Sequence, residues 1–347
     1  MKELYVIPIF VPHLGCPLNC TFCNQRTISG EQKQVTRDDV KRIIDEYLHS
    51  FKDKNKLVQV AFFGGSFTGI NVEKQEELLE AAYEYIKDKR VDSIRLSTRP
   101  DYIDKEILKR LKKYKVKTIE LGVQSSNDYI LKKCKRGHTF EDVKKASKLI
   151  RRYGFELGHQ IMCGLPESTR IDEENTAKDI AKLKPKIVRI YPVLVVKGTE
   201  LEKEYEKGVF EPISLNVAVE TCKELYYFFQ KKHIKVIRMG LQNTDTISSP
   251  ENKQSEVIAG PYHEAFGQLV MGAVWYDKIL NKIKAFNVKV KEVAIHINPE
   301  DVNNVVGHKK ENLKKLKDLY EVNVKLIQEK NIKQGNFKID ILKTFEN

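Results

Sequence analysis

Long apolar runs are missing from this chain. Nowhere do 18 apolar residues follow one another without charge, so a membrane-spanning helix is not expected. The opening MKELYVIPIF carries too little apolar length before Pro12 to read as a secretory signal, and a cytoplasmic location is expected. Cysteine is sparse, six in 347 residues, and cytoplasmic thiols stay reduced, which argues against a disulfide framework. Acidic residues are outnumbered 48 to 61 by Lys and Arg, for a formal net charge of +13. That balance raises a polyanion such as RNA as a partner, although a generally Lys-rich composition would give the same number. Hydrophobic residues make up 41% of the chain, enough to fill a sizeable core, and the length suits one large domain with a smaller module.

Three of the few cysteines stand together. Cys16, Cys20 and Cys23 lie in PHLGCPLNCTFCNQ, just past an apolar run from Leu4 to Val11 that reads as a strand ending at Pro12. Three thiolates on one tight loop can hold three corners of a [4Fe-4S] cluster and leave the fourth iron open. Zinc is the alternative: His13 could complete a Cys3His site, but no fourth cysteine or histidine follows at a zinc-finger interval.

Beyond the cysteines, apolar runs alternate with amphipathic stretches. Strands are expected at 4–11, 57–63, 93–97, 118–123, 156–162 and 187–191, and helices at 37–49, 73–87, 105–113, 140–153, 173–183 and 215–232. Six βα units in a row predict an α/β fold whose parallel sheet curls into a partial (β/α)6 barrel of TIM type. Functional residues of such a barrel gather at the C-terminal ends of its strands. At those ends stand FFGGSFTG with Gly64, Gly65 and Ser66; LSTRPD with Arg99; IELGVQSS with Gln124; ELGHQIMCGLPEST with Ile161, Cys163 and Gly164; and VRIYPVLVVKGTEL with Tyr191 and Lys197.

The cysteine loop, with Phe22 directly ahead of Cys23, resembles the radical-SAM signature C-x3-C-x-aromatic-C. That resemblance implies that S-adenosylmethionine chelates the open iron and is cleaved reductively to a 5'-deoxyadenosyl radical. It implies a [4Fe-4S] cluster on Cys16, Cys20 and Cys23, and cofactor contacts from Phe22, Gly64, Gly65, Ser66, Arg99, Gln124, Ile161, Gly164 and Tyr191. GGSFTG, STRPD, IELGVQS, RGHT, GHQIMCGLPEST and IYPVLVVKGTEL further resemble, in order and rough spacing, the radical-SAM domain of the Elongator catalytic subunit, which modifies tRNA wobble uridine. The likeness covers about residues 5 to 240. The gap between the first two cysteines is shorter than in Elongator, and no segment resembles its acetyltransferase domain, so acetyl-CoA and a carboxymethyl product are not carried over. Cys163 and Lys197 are the candidates for a direct part in the reaction, as hydrogen donor and anion contact. A flavodoxin- or ferredoxin-type protein is the expected electron donor.

A connecting segment is expected over 241–285, followed by a basic module over 286–347. From 278 onward 15 lysines face 9 acidic residues. The expected order there, strand, short helix, glycine turn, Lys-rich helix and two strands, resembles a KH RNA-binding module, whose GxxG turn clamps a sugar-phosphate backbone. The turn here is Gly307, His308, Lys309 and Lys310, with lysine at the second glycine position. The combined expectation is an iron-sulfur radical enzyme acting on tRNA. The alternatives are the same chemistry on a small molecule, a tetrapyrrole or an acyl compound, and a non-enzymatic iron-sulfur protein that binds RNA.

Overall fold

A computed structural model describes residues 4–11, 20–24, 34–53, 56–244 and 246–345. In the first part of the chain the elements run β1 (Leu4–Val11), α1 (Arg37–Ser50), β2 (Leu57–Gly64), α2 (Val72–Lys87), β3 (Ser93–Thr98), α3 (Lys105–Lys113), β4 (Val116–Gln124), α4 (Asp128–Lys133), α5 (Phe140–Arg152), β5 (Glu156–Cys163), α6 (Arg170–Lys182) and β6 (Ile187–Pro192). There follow β7 (Val195–Val196), α7 (Glu200–Glu206), α8 (Leu215–Lys231), β8 (Lys235–Met239) and β9 (Val257–Ala259).

Strands β1 to β6 and β8 form one parallel sheet in sequential order. This is the expected partial barrel with one further strand. β8, KVIRM, is short and carries charges at two of its five positions, which hid it from an apolar-run search. Several helices begin at a T-x-x-D pattern. Thr36, Thr139 and Thr169 each accept the backbone N–H of Asp39, Asp142 and Asp172, and those carboxylates bond back to the threonine N–H. This reciprocal box satisfies two of the donors that a helix start leaves open. Burial is greatest where helices cover the outer face of the sheet: Ile7, Ile9, Leu78, Leu79, Ile94, Leu108, Leu121, Val143 and Ile150 are all fully buried. A two-stranded antiparallel ribbon of β7 and β9 pairs Val195 with Ala259.

The chain divides into two compact units, Met1–Ala218 with Leu225–Glu264, and Val219–Glu224 with Ala265–Asn347. The second contains α9 (Phe266–Lys284), β10 (Val290–Ile297), α10 (Val302–Val306), α11 (Glu311–Tyr320), β11 (Asn323–Gln328) and β12 (Phe337–Thr344). Its sheet has the order β11-β10-β12, with β10 parallel to β11 and antiparallel to β12. Trp275 lies in its core with Ile279, Val293, Ile295, Val305 and Leu316. Among the described residues, no helix is long and apolar enough to cross a membrane.

Candidate active site

Inside the first unit, at the C-terminal ends of the strands, lies a cavity of about 230 Å³. Its wall takes a few residues from nearly every strand, and pleating decides which. Side chains alternate between the two faces of a strand. On β5, Gln160 and Met162 line the cavity while Leu157, His159, Ile161 and Cys163 are buried off it. On β4 the lining residues are Glu120, Gly122 and Gln124, and on β6 they are Arg189 and Tyr191.

Of the expected cofactor residues, Phe22, Gly64, Gly65, Ser66, Gln124 and Tyr191 come together around this space, with Cys20 and Cys23. Cys16 lies outside the described residues. Cys20 and Cys23 share a turn closed by the Cys23 N–H donating to the Cys20 carbonyl at 3.0 Å. The same turn is clamped from two sides. The Thr21 N–H donates to the Cys134 carbonyl at the end of α4, and the Leu201 N–H of α7 donates to the Thr21 carbonyl. Phe22, Leu165, Val193, Val195 and the thiol of Cys134 pack around it. Burial pushes the Cys134 thiol up to about 12, so it stays protonated there.

Two features test whether these residues suit a cluster and its nucleoside cofactor. The Arg136 guanidinium, from the RGHT segment, donates through Nη1 to the Cys20 sulfur at 3.6 Å and through Nη2 to the Gly122 carbonyl at 2.9 Å. A cysteine sulfur is a soft donor of the kind an iron-sulfur cluster takes, and a guanidinium stands fixed beside this one. Gly122 is required for this contact, because a Cβ there would stand 2.6 Å from Arg136 Nη2. The second feature is the glycine pair. Gly64 has φ +109°, and a Cβ on it would meet the Val11 carbonyl oxygen at 2.4 Å. Only glycine brings the main chain this close to β1 and leaves a cradle that a side chain would fill. The residues present therefore fit both groups.

Gln124 has φ +69° at the end of β4, where a register shift skips Val123. Its side-chain amide exchanges two hydrogen bonds with Gln160, at 3.1 and 2.8 Å. Holding a non-glycine residue at positive φ costs on the order of 1 kcal/mol, a kind of strain that clusters at functional sites.

The floor of the cavity is ionic, and nothing in the strand pattern announced it. Glu120, 2% exposed, meets Arg95 Nη1 at 3.1 Å and Arg189 Nε at 2.5 Å. Gly158 leaves room for it: a Cβ there would lie 2.8 Å from Glu120 Cγ. Arg189 also donates to the Tyr191 hydroxyl at 3.0 Å and lies over the Phe63 ring at 4.6 Å. Burial opposes its charge, yet Tyr191 and Glu120 hold its pKa above the ordinary value.

Other expected residues stand elsewhere. Arg99 is 1% exposed and makes a two-pronged contact with Asp101, at 3.0 and 2.8 Å, away from the cavity lining. Gly164 has φ +73° and donates its N–H to the buried Glu173 at 2.7 Å. Lys197 is exposed, and its carbonyl accepts from Asn24 Nδ2 at 2.9 Å. In the second unit, the turn between α10 and α11 has three residues at positive φ: Gly307 at +77°, Lys309 at +49° and Lys310 at +64°. Asn312, buried, shares its amide protons among the carbonyls of Gly272, Asn304 and Val305.

A half-barrel of parallel strands whose cavity joins a cysteine turn to a glycine pair defines an iron-sulfur enzyme of the radical-SAM type. The sequence matches the Radical SAM superfamily over residues 10–180 and the Radical_SAM C-terminal domain over residues 185–274. The chain belongs to the radical SAM superfamily, whose enzymes use a [4Fe-4S] cluster and S-adenosylmethionine. Its relatives include a tRNA uridine(34) acetyltransferase of Methanocaldococcus infernus, 30% identical over 50% of this chain and 36% of that protein. An uncharacterized protein of Methanocaldococcus jannaschii is 32% identical over 60% of this chain and 62% of its own length. The chain thus spans about a third to three fifths of these relatives. The archaeal Methanocaldococcus infernus Elp3 with an N-terminal deletion has a similar fold, with a TM-score of 0.62 at 22% identity over 81% of this chain and 64% of that one.

Proposed function

We propose that this chain is a radical SAM enzyme that modifies a nucleoside of tRNA. The observation that supports it most is the meeting of Cys20 and Cys23 with Gly64, Gly65, Ser66, Gln124 and Tyr191 around one cavity. Cys16, Cys20 and Cys23 would hold a cluster beside S-adenosylmethionine, and that pair would supply one-electron chemistry able to take hydrogen from a substrate carbon.

The chain's own residues divide the remaining tasks. Gly64 and Gly65 offer main-chain polar groups to the methionine end of the cofactor, with Ser66 beside them. Gln124 and Tyr191 offer an amide and a hydroxyl to its nucleoside end. Phe22, Met162, Leu194 and Val196 keep water from the reacting space. Cys163, buried off the cavity, and Lys197, exposed outside its lining, are given no step. A flavodoxin- or ferredoxin-type protein would deliver the electron.

The tRNA half of the proposal rests on the relatives named tRNA uridine(34) acetyltransferase and on the basic second unit. There Lys310 takes a left-handed backbone, the conformation that glycine favours, so the turn keeps a glycine-like shape while adding charge. Lys309 and Lys310 would contact phosphate on either side.

Two measurements test this. The reconstituted full chain, given dithionite and S-adenosylmethionine without oxygen, is expected to release 5'-deoxyadenosine, and Cys20→Ala to release none. Release by the variant would overturn the cluster assignment. Nucleoside mass spectrometry of tRNA from cells with and without the protein is expected to show one modified nucleoside lost. An unchanged nucleoside profile would move the substrate to a small molecule.

A further inference from the structure

Two of the three arginines that line the cavity face an anionic or sulfur partner. Arg136 faces the Cys20 sulfur, and Arg189 shares the Glu120 carboxylate with Arg95. Arg238 on β8 lines the same cavity and, among the described residues, meets no carboxylate. Its contacts are the Gly240 carbonyl at 3.2 Å from Nε and the Gln242 Oε1 at 3.3 Å from Nη1. Both acceptors are neutral, and Gln242 itself lines the cavity.

The placement of Arg238 also departs from simple pleating. Val188 pairs with Val236, but Arg189 pairs with Arg238, so the register between β6 and β8 skips Ile237. Such an irregularity re-aims a side chain. Here it sets two guanidinium groups opposite each other on neighbouring strands, an arrangement that is unfavourable when neither charge is answered. Arg189 is answered by Glu120; among the described residues Arg238 meets no carboxylate. Burial depresses the pKa of Arg238 first; Tyr191 opposes the shift, and the charge of Arg189 adds a smaller depression. A partly buried cation that faces a cavity and, among the described residues, meets only neutral acceptors is suited to seat an anion.

We propose that Arg238, with Gln242, forms an anion-binding subsite that receives a carboxylate or phosphate group of the substrate inside the barrel. This rests on the reading of the cavity as the reaction chamber of a radical SAM enzyme and adds to it a requirement on the substrate. One reacting partner brings a small anionic group into the half-barrel, beyond any contact that RNA makes with the second unit. The fork of the guanidinium suits two oxygens of one carboxylate or phosphate.

The experiment uses the anaerobically reconstituted full chain, with acetate and inorganic phosphate as probes. Binding is followed by saturation-transfer or linewidth NMR, and S-adenosylmethionine binding is measured separately by calorimetry. At least one probe is expected to bind the wild type, and Arg238→Gln is expected to weaken it by about tenfold or more, the effect of one charged hydrogen-bond pair. Arg238→Lys, which keeps the charge and loses the fork, is expected to recover part of that loss and guards against a folding defect in the glutamine variant. Tighter acetate than phosphate would identify the substrate group as a carboxylate, and the reverse order as a phosphate. Equal affinity in wild type and Arg238→Gln would overturn the proposal, as would a wild type that binds neither probe. It would also fall if Arg238→Gln lost S-adenosylmethionine in place of the anion, since the guanidinium would then serve the cofactor's own carboxylate. A wild type that takes up neither cluster nor S-adenosylmethionine would sink the proposed function by itself, while the anion measurement would still score Arg238.

Discussion

At the scale of single residues, Arg136 couples the sheet to the cysteine turn. Its two amino groups join the Cys20 sulfur to the carbonyl of Gly122 on β4. A fixed positive charge beside a cluster ligand favours the reduced, more negative cluster, so it raises the potential. Arg136→Met is expected to lower the midpoint potential of the cluster by on the order of 60 mV, the one-electron equivalent of about 1.4 kcal/mol. An electron-paramagnetic-resonance redox titration of the reconstituted variant checks this, and an unchanged potential would leave Arg136 a purely structural tie. The sequence could not show that tie, because Cys20 and Arg136 are 116 positions apart. It did show the strand ends, and Gly64, Gln124 and Tyr191 were legible there as the last residues before a turn. Which of two neighbours faces inward was harder to read. Ile161 and Cys163 share an outward face, while Gln160 and Met162 line the cavity, and a strand buried on both sides gives no polar alternation by which to tell them apart. Arg95, Glu120 and Arg189 sit inside apolar strands, where their charges look like interruptions until the two arginines are seen to share the one carboxylate.

At the scale of elements, the long amphipathic helices of the first unit and its apolar strands were readable to within a few residues, because each had a capping or turn residue at its boundary, whereas α9, 19 residues without a side-chain cap, fell in the segment expected only as a connection. The short pieces were not. β7 has two residues, β9 has three, and β8 is interrupted by the same Arg238 that makes it useful. The turn between α10 and α11 illustrates how an element can carry strain visible only in the backbone. Lys309 and Lys310 are both left-handed, with φ of +49° and +64°, and Asn312 pins the turn through three carbonyls. A left-handed non-glycine residue costs roughly 1–2 kcal/mol, part of which glycine returns through its freer unfolded chain. Lys310→Gly is therefore expected to stabilise the protein by about 1 kcal/mol in urea unfolding, while weakening RNA binding and flattening its dependence on salt. Lower stability would mean that the lysine side chain contributes more than its backbone costs. Unchanged RNA affinity would remove this turn from the proposed interface.

At the scale of the molecule, the barrel buries two histidines that cannot stay neutral in acid once unfolded. His159 on β5 meets the Ser147 hydroxyl of α5 through Nε2 at 2.9 Å, and burial lowers its pKa to about 3. His138, whose Nε2 lies 3.3 Å from the Val123 carbonyl, is likewise held near about 3, by burial first and by the charge of Arg136 second. Both start from an ordinary value of 6.5, so between that pH and their folded values the unfolded chain binds two more protons than the folded one. Stability that is fully present above pH 6.5 is thus lost as the pH falls through this window. Each histidine contributes a slope of up to about 1.4 kcal/mol per pH unit, and the pair up to about 3 kcal/mol. Urea unfolding at pH 7, 6, 5 and 4.5 is expected to show this loss. His159→Gln, uncharged throughout and able to keep a hydrogen bond to Ser147, is expected to cut the slope by about half. Asp39, Asp142 and Asp172 at the helix starts do not produce the effect between pH 6.5 and 5, because their threonine caps lower their pKa values from 3.8, and Glu173, raised from 4.5 by burial, takes up its proton in the folded state first and acts with the opposite sign. A slope that survives His159→Gln undiminished would place the proton uptake elsewhere and show that this imidazole is already charged in the folded barrel.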